Sequence, residues 1–184
     1  MATPSSTRRR QALARSAAWG VSSALGWTGS SLLQPAVAQA TSPPGAAIGD
    51  LVRWPTVQLL DQRAWGAAQA AGQVVVAIFF STTCPYCLRH NQRITRLADS
   101  AGRQGLQVLG VAHETDPGRV MRHMREHGHR FDVTLDERPM HQVLSARRSV
   151  PLTCVVDRAG RLREVIPGEM AEDDVLGLAR WLNR

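Results

Sequence analysis

Two cysteines stand four and seven residues after a continuous apolar run in this chain of 184 residues. The run is Val-Val-Val-Ala-Ile-Phe-Phe at positions 74–80, and β-branched and aromatic residues in succession are typical of a central strand covered on both faces. After Cys84 and Cys87, apolar residues recur at helical spacing from Ile94 to Ala101. The sequence therefore predicts a buried strand, a short loop and a helix that begins at the first cysteine.

Short apolar runs alternate with helical patterns along the rest of the chain. Strands are predicted at 106–112, 131–135, 152–156 and 161–166, and helices after Asp116, at Met140 and near Glu172. The last two strands flank the turn at 157–160 and form a hairpin. This order indicates an α/β domain with a central mixed sheet flanked by helices.

The placement of Cys84 and Cys87 suits redox chemistry. A cysteine at a helix N-terminus faces unpaired backbone N–H groups and the positive end of the helix dipole, which favour the thiolate. Cys84 is therefore the expected nucleophile, and Cys87, one turn inside, is expected to resolve the mixed disulfide. Pro85 suits the first helical turn, and with Tyr86 it forms the active-site loop between the cysteines.

Two other roles for the cysteine pair were weighed against redox exchange. A zinc site needs four ligands, and no second closely spaced Cys or His pair completes one. A structural disulfide would close a very short loop and bring little chain-entropy benefit. The sequence predicts no metal and no cofactor.

A proline just before a predicted core strand marks the second part of the site. Pro151 precedes the apolar run at 152–156, and proline cannot donate to a sheet ladder. A cis peptide after Val150 would place Pro151 beside the two sulfurs and leave the Val150 backbone free to bind a substrate strand. A trans proline that starts the strand is the alternative.

The first 38 residues are typical of an export signal. A basic start that includes Arg9 and Arg10 precedes a weakly apolar stretch and small residues at 36–38. The paired arginines resemble a twin-arginine signal. An uncleaved membrane anchor is the alternative, although glycines and serines dilute the stretch. We expect a signal peptide at 1–38, a linker at 39–52 and one domain at 53–184.

The charge of the chain does not indicate a nucleic-acid-binding protein. The formal net charge is +7, all 22 basic residues are arginines, and four of them lie in the first 38 residues, which contain no acid. Without those four the charge is about +3. The remaining charge is scattered, whereas a nucleic-acid-binding face requires a cluster.

From about Arg53 to its end, the chain resembles the TlpA-like branch of periplasmic, redoxin-type thioredoxins. The shared motifs are the strand and Cys-Pro-Tyr-Cys sequence at 74–87, Val150 with Pro151, the strand end and turn at 155–161, and Gly168. The resemblance implies a thioredoxin fold with a cis Pro151. It also implies that the helix and strand at 117–135 are the insertion of this branch.

Several residues near the cysteines depart from the family pattern. Thr83 and Gln92 stand where many members have tryptophan and proline. Ile78 replaces a buried acid, and His90 stands where reductases of cytochrome c maturation carry glutamate, so the usual proton acceptors for Cys87 are missing. His90 is a candidate for proton transfer because it titrates near neutral pH, but we expect it to face solvent.

The third cysteine and a group of histidines are expected to lie outside the chemistry. Cys154 falls within an apolar strand, where a buried, inert thiol is expected. His123 and His127 share a helix face, with His129 close by, and a solvated surface is expected there in place of a metal site.

The resemblance implies a periplasmic thiol-disulfide oxidoreductase that reduces protein partners and is recharged by a membrane electron donor of the DsbD type. A disulfide oxidase or isomerase of the Dsb type is an alternative, since Cys-Pro-Tyr-Cys also resembles the active site of one isomerase-type Dsb protein. A copper metallochaperone is a second alternative, because thiol pairs with nearby histidines suit Cu(I).

Overall fold

The computed structural model of the chain describes residues 45–184. The expected signal peptide and the first part of the expected linker lie outside these residues. The strands are β1 (Val57–Gln58), β2 (Ala64–Trp65), β3 (Val74–Phe80), β4 (Leu106–Ala112), β5 (Asp132–Thr134), β6 (Leu152–Val156) and β7 (Leu162–Pro167). The α-helices are α1 (Ala67–Ala70), α2 (Pro85–Ala101), α3 (Pro117–Glu126), α4 (Glu137–Leu144) and α5 (Glu172–Leu176). Two 3₁₀ segments, Gly102–Gln104 and Gly177–Asn183, follow α2 and α5.

The main sheet has five strands in the order β5-β4-β3-β6-β7. Strands β3, β4 and β5 are parallel to one another, whereas β6 is antiparallel to both β3 and β7. All residues of β3 are buried, as the continuous apolar run predicted. The expected mixed sheet flanked by helices is confirmed.

Alternate residues of β3 pack into two separate apolar cores, one on each face of the sheet. Val74, Val76 and Ile78 pack with residues of α2, α5 and the final 3₁₀ segment, including Ile94, Leu97, Val175 and Leu178. Val75, Ala77 and Phe79 pack with residues of β2 and α4, including Trp65, Met140 and Leu144. Full burial of a side chain as large as Phe79 contributes about 2 kcal/mol to stability. The two cores hold the end of β3, where the cysteines follow, in a fixed position.

The element boundaries differ from the predicted ones at helix ends. Strands β4 and β6 have the predicted bounds. Helix α4 begins at Glu137, three residues before the predicted start at Met140. The last helix changes to 3₁₀ geometry at Gly177, and Val175, Leu178 and Leu182 are its buried residues.

Part of the expected linker packs against the domain. Leu162 donates its N–H to the Asp50 carbonyl at 2.9 Å, and Gly49 donates to the Leu162 carbonyl at 2.7 Å. Val52 is buried, and its N–H donates to Gly160 at 2.8 Å. The ordered packing therefore includes residues before Arg53. No helix within residues 45–184 is long and apolar enough to cross a membrane.

Candidate active site

Cys84 and Cys87 lie at the junction between the end of β3 and the start of α2. Cys84 is the N-cap residue of α2, and its Sγ accepts a hydrogen bond from the Cys87 N–H at 3.2 Å. Pro85 is the first residue of the helix, where it removes no helical hydrogen bond. Cys84 is partly exposed, whereas Cys87 is fully buried. The helix start thus presents one sulfur to solvent and holds the second behind it.

Burial sets the protonation of the inner thiol. It raises the pKa of Cys87 to about 12, with the hydrogen bond to Cys84 as the next contribution. A thiol is not a nucleophile until it loses its proton. Cys87 is therefore protonated in this environment, and its sulfur could react only after a proton acceptor had removed that proton.

Glu114 holds the loop that leads from β3 to Cys84. Its Oε1 accepts hydrogen bonds from the Ser81 hydroxyl at 3.1 Å, the Thr82 N–H at 3.0 Å and the Thr82 hydroxyl at 2.6 Å. Burial raises the pKa of Glu114, but the hydrogen bonds from Thr82 and Ser81 outweigh burial, and the net shift is downward. Glu114 is therefore a carboxylate that fixes the loop before Cys84.

The sequence analysis did not identify Glu114. It stands two residues after β4, and parallel neighbouring strands end at the same edge of a sheet. Because β3 and β4 were both predicted, a polar side chain at this position was the available signal for a contact with the β3–α2 loop.

The Val150–Pro151 peptide is cis, as predicted. Leu152, the next residue, pairs with Phe79 near the end of β3, so Pro151 lies at the edge of the sheet where the cysteines follow. Val150 and Cys84 both pack against the apolar cluster that contains Cys87. The structure therefore brings the second predicted part of the site to the first.

Tyr86 projects outward from the active-site loop. It is 58% exposed, and the Arg89 guanidinium lies 5.0 Å from the centre of its ring. Arg89 is itself paired with Glu169 at 2.6 Å. An exposed aromatic ring beside the partly exposed Cys84 provides an apolar surface for a partner.

The expectation that His90 faces solvent is wrong. His90 is fully buried, because it lies three residues after Cys87 on the inward side of α2. Its Nε2 is 3.0 Å from the Thr153 hydroxyl, and the Met170 N–H donates to Nδ1 at 3.4 Å. Since Nδ1 accepts a hydrogen bond, Nε2 carries the ring proton and donates it to Thr153.

His90 is neutral in this environment. Burial lowers its pKa to about 4, and the nearby Arg93 acts in the same direction, while Glu169 opposes them. The imidazole bridges α2, β6 and the loop before α5 through its two nitrogens. Both nitrogens are therefore engaged by the fold.

Cys154 lies away from the other two cysteines, in the middle of β6 opposite Ala77. It is fully buried, and burial raises its pKa to about 12. The expectation of a buried thiol is confirmed.

The expectation of a solvated histidine face is wrong for two of its three members. His123 and His129 are buried, and only His127 is exposed. His123 stacks on Phe80 at a centroid distance of 6.4 Å, and His129 stacks on Phe131 at 5.9 Å. Aromatic packing on β3 and before β5 thus draws these rings inward. Within residues 45–184, no three His, Cys, Asp or Glu side chains are placed to hold a metal ion.

Known proteins match both the sequence and the fold of this chain. A family model described as Redoxin matches residues 49–180. The thiol-disulfide oxidoreductase ResA of Geobacillus thermodenitrificans is 27% identical over 106 residues, which are 56% of this chain and 60% of that protein. The chain thus spans about three fifths of the length of this curated relative.

Solved structures share the fold. A thiol:disulfide interchange protein of the thioredoxin family from Chlorobium tepidum has a TM-score of 0.65 at 18% identity, covering 74% of this chain and 97% of that one. A putative protein disulfide isomerase from Bacteroides thetaiotaomicron has a TM-score of 0.66 at 16% identity, covering 77% of this chain and 92% of that one. The expected thioredoxin-like fold is confirmed.

Proposed function

This chain belongs to the Redoxin family, and on that premise we propose that it is a thiol-disulfide oxidoreductase that works through Cys84 and Cys87. The observation that carries the proposal is the arrangement of the two sulfurs on the first turn of α2. Cys84 is partly exposed at the N-cap and accepts the Cys87 N–H, and Cys87 is buried behind it. Cys84 can therefore contact a partner sulfur, while Cys87 lies close enough to attack the mixed disulfide that forms.

The exchange proceeds in two displacements. The Cys84 thiolate attacks one sulfur of a partner disulfide, so that a mixed disulfide forms and the other partner sulfur leaves and takes a proton. Cys87 then loses its proton and attacks Cys84 Sγ, which forms the Cys84–Cys87 disulfide and releases the second partner thiol. Two electrons pass from the dithiol to the partner disulfide.

We assign partner binding to the surface around Cys84. Val150 packs in the same cluster as Cys84, and an extended partner segment can pair with the Val150 backbone in the manner of an added strand. Pro151 directly follows Val150, and the exposed ring of Tyr86 belongs to the residue two positions after Cys84. These contacts recognise a chain in extended conformation and do not select one protein by its side chains.

For His90, the contacts favour positioning over the proton-transfer role considered from the sequence. Its Nε2–H donates a hydrogen bond to the Thr153 hydroxyl, and its Nδ1 accepts a hydrogen bond from the Met170 N–H. A proton-transfer role would require one of these bonds to break during resolution. We propose that His90 fixes α2 on β6 and so fixes the depth of Cys87.

The direction and compartment of the reaction form part of the proposal. The basic, apolar and small-residue pattern at 1–38 supports export to the periplasm. The resemblance to TlpA-like proteins favours a reductase of periplasmic protein disulfides, recharged by a membrane donor of the DsbD type. A disulfide oxidase or isomerase differs in its potential, and that quantity separates the two directions.

Trapping of the mixed disulfide tests the proposed chemistry. The Cys87→Ser variant is incubated with a disulfide-bonded peptide and analysed by mass spectrometry without reduction. We expect an adduct of one peptide chain on Cys84, because attack occurs and resolution does not. Cys84→Ser should give no adduct, whereas Cys154→Ala in the Cys87→Ser background is the matched control and should give the same adduct as Cys87→Ser alone. Equal adduct formation by the Cys84→Ser variant would overturn the assignment of the nucleophile.

A further inference from the structure

Helix α2 carries a second set of buried polar groups, which lie on the other side of Cys87 from His90. Asn91 is fully buried and lies four residues after Cys87, so the two side chains are neighbours on one side of the helix, with Cβ atoms about 6 Å apart. Neither Oδ1 nor Nδ2 of Asn91 has a hydrogen-bond partner among the protein atoms. A buried amide of this kind binds ordered water far more often than it stays unpaired.

The polar groups continue away from Cys87 along the same flank. Thr95, four residues further on, is buried, and its hydroxyl donates to the Asn91 carbonyl at 2.9 Å. The Thr95 oxygen is also 3.4 Å from Nδ1 of His129. The Nε2 atom of His129 is buried and has no protein partner. The unpaired Asn91 amide, the Thr95 hydroxyl and the unpaired Nε2 atom of His129 therefore follow one another along the flank behind Cys87.

This flank ends at solvent. A cleft of about 180 Å³ is lined by Gln92, Thr95, Arg96, His127, Gly128 and Arg130. Thr95 therefore belongs both to the buried row and to the cleft wall. His127 is exposed, and its ring centre lies 6.0 Å from that of His129.

We propose that Asn91, Thr95 and His129, here termed the polar strip, form the route by which the proton of Cys87 Sγ reaches the cleft during resolution. The inference rests on the proposed function. As Cys87 attacks the mixed disulfide, its proton passes to water held by the Asn91 amide and leaves past Thr95 and His129 to solvent. The electron pair of Cys87 forms the new S–S bond, and the released partner sulfur takes a proton in its turn.

The other residues described around Cys87 offer no proton acceptor, and the polar strip supplies one. Strand β3 is apolar throughout and offers no proton acceptor, since Ile78, near its end, pairs with Thr153 in β6. The His90 nitrogens are both engaged. Cys87, with a pKa of about 12, still has to release a proton into an apolar cluster that includes Val120 and Met124 of α3.

Burial keeps His129, the histidine of the polar strip, uncharged at rest. Burial lowers the pKa of His129 to about 4, and His123 and His127 act in the same direction. Burial also lowers the pKa of His123, which faces His127 and Arg119 as well as the opposing Glu126 and Glu114. A neutral imidazole can both accept and return a proton.

Single-turnover resolution tests the proposal. Full-length protein is charged on Cys84 with a peptide through a mixed disulfide, and release of the peptide is followed from pH 6 to 9. We expect Thr95→Val and Asn91→Leu to slow release about tenfold at pH 7 and to approach the wild-type rate at pH 9, where hydroxide removes the proton directly. The solvent isotope effect of the wild type should change in both variants.

Two further variants separate a proton route from a packing effect. Thr95→Ser keeps the hydroxyl and should restore the wild-type rate. Thr134→Val removes another buried threonine hydroxyl, one that donates to the Gln58 carbonyl on β1, and should leave the pH profile unchanged. Wild-type rates and pH profiles in both Thr95→Val and Asn91→Leu would overturn the strip while leaving the exchange reaction in place. Failure of wild-type protein to release the peptide would instead overturn the proposed function.

Discussion

Cys154 lies in β6 and Cys84 follows the neighbouring strand β3, yet their surroundings differ in every respect that governs thiol chemistry. Cys84 follows the end of β3, caps α2 and is partly exposed, whereas Cys154 lies in the middle of β6 and is fully buried. Cys87 is as deeply buried as Cys154, and burial raises the pKa of both to about 12. What separates Cys87 from Cys154 is therefore its place one helical turn from Cys84.

We infer that a thiol placed just after the end of a strand is the reactive one in this fold. A thiol within a strand has its backbone paired on both sides and no approach for a partner. A thiol after the strand meets the free N–H groups of the next helix. The following predictions test this contrast, in order of the expected size of the effect.

Removing the exposed sulfur should have the largest effect. We expect Cys84→Ser to lower the rate of insulin disulfide reduction on the order of 10³-fold, because no other group attacks. Far-ultraviolet circular dichroism verifies that the variant folds. Retention of more than a tenth of the wild-type rate would place the nucleophile elsewhere, and Cys154 would be the next thiol to examine.

Acidification should destabilise the packing of α2 on β6, because it protonates His90. The folded pKa of His90 is about 4, below its ordinary value near 6.5, so the unfolded chain binds more protons between these values. The stability contributed by the neutral ring is present above pH 6.5 and is lost as the pH falls towards 4. His129 behaves in the same way, with a folded pKa of about 4.

Urea unfolding at several pH values measures this loss. Each histidine should account for about 3 kcal/mol between pH 6.5 and 4. His90→Gln and His129→Gln should each flatten part of the curve, and the double variant should flatten more of it than either single variant. A wild-type free energy of unfolding that stays constant over this range would contradict buried, neutral rings at both positions.

Loosening the loop before Cys84 should have a moderate effect. Glu114→Gln removes the carboxylate that accepts hydrogen bonds from Ser81 and Thr82. We expect exchange to slow about fivefold to tenfold, because misplacing a reacting group weakens catalysis without removing it. Asp116→Asn, at the nearby N-cap of α3, is the control. An unchanged rate in Glu114→Gln would show that the loop holds its position without this carboxylate.

Removing the buried thiol should have the smallest effect on exchange. We expect Cys154→Ala to retain the wild-type rate and potential while losing about 1 kcal/mol of stability from the lost packing. Rate and urea midpoint are measured on the same preparation. A change in potential would connect Cys154 to the redox pair and remove the contrast drawn above.

The sequence predicted the parts of the site that depend on local pattern. The apolar run, the cysteine spacing and the proline before β6 each act over a few residues, and each was found where expected. His90 was misplaced because its burial depends on Thr153 and Met170, which are more than 60 residues away. Glu114 was missed for the same reason, since its partners belong to another strand end. Helix periodicity marks the inward face, but it does not show which polar groups that face meets.

The equilibrium between the Cys84–Cys87 dithiol and its disulfide tests the central proposal most directly. Purified protein is equilibrated in glutathione buffers of stepped potential, alkylated, and analysed by mass spectrometry. We expect a single reversible two-electron couple between Cys84 and Cys87 below about −220 mV. Cys154 should stay reduced throughout, and the couple should be absent in Cys84→Ser. A couple above about −150 mV would reverse the proposed direction. The absence of any reversible couple between Cys84 and Cys87 would contradict the assignment of the protein as a thiol-disulfide oxidoreductase.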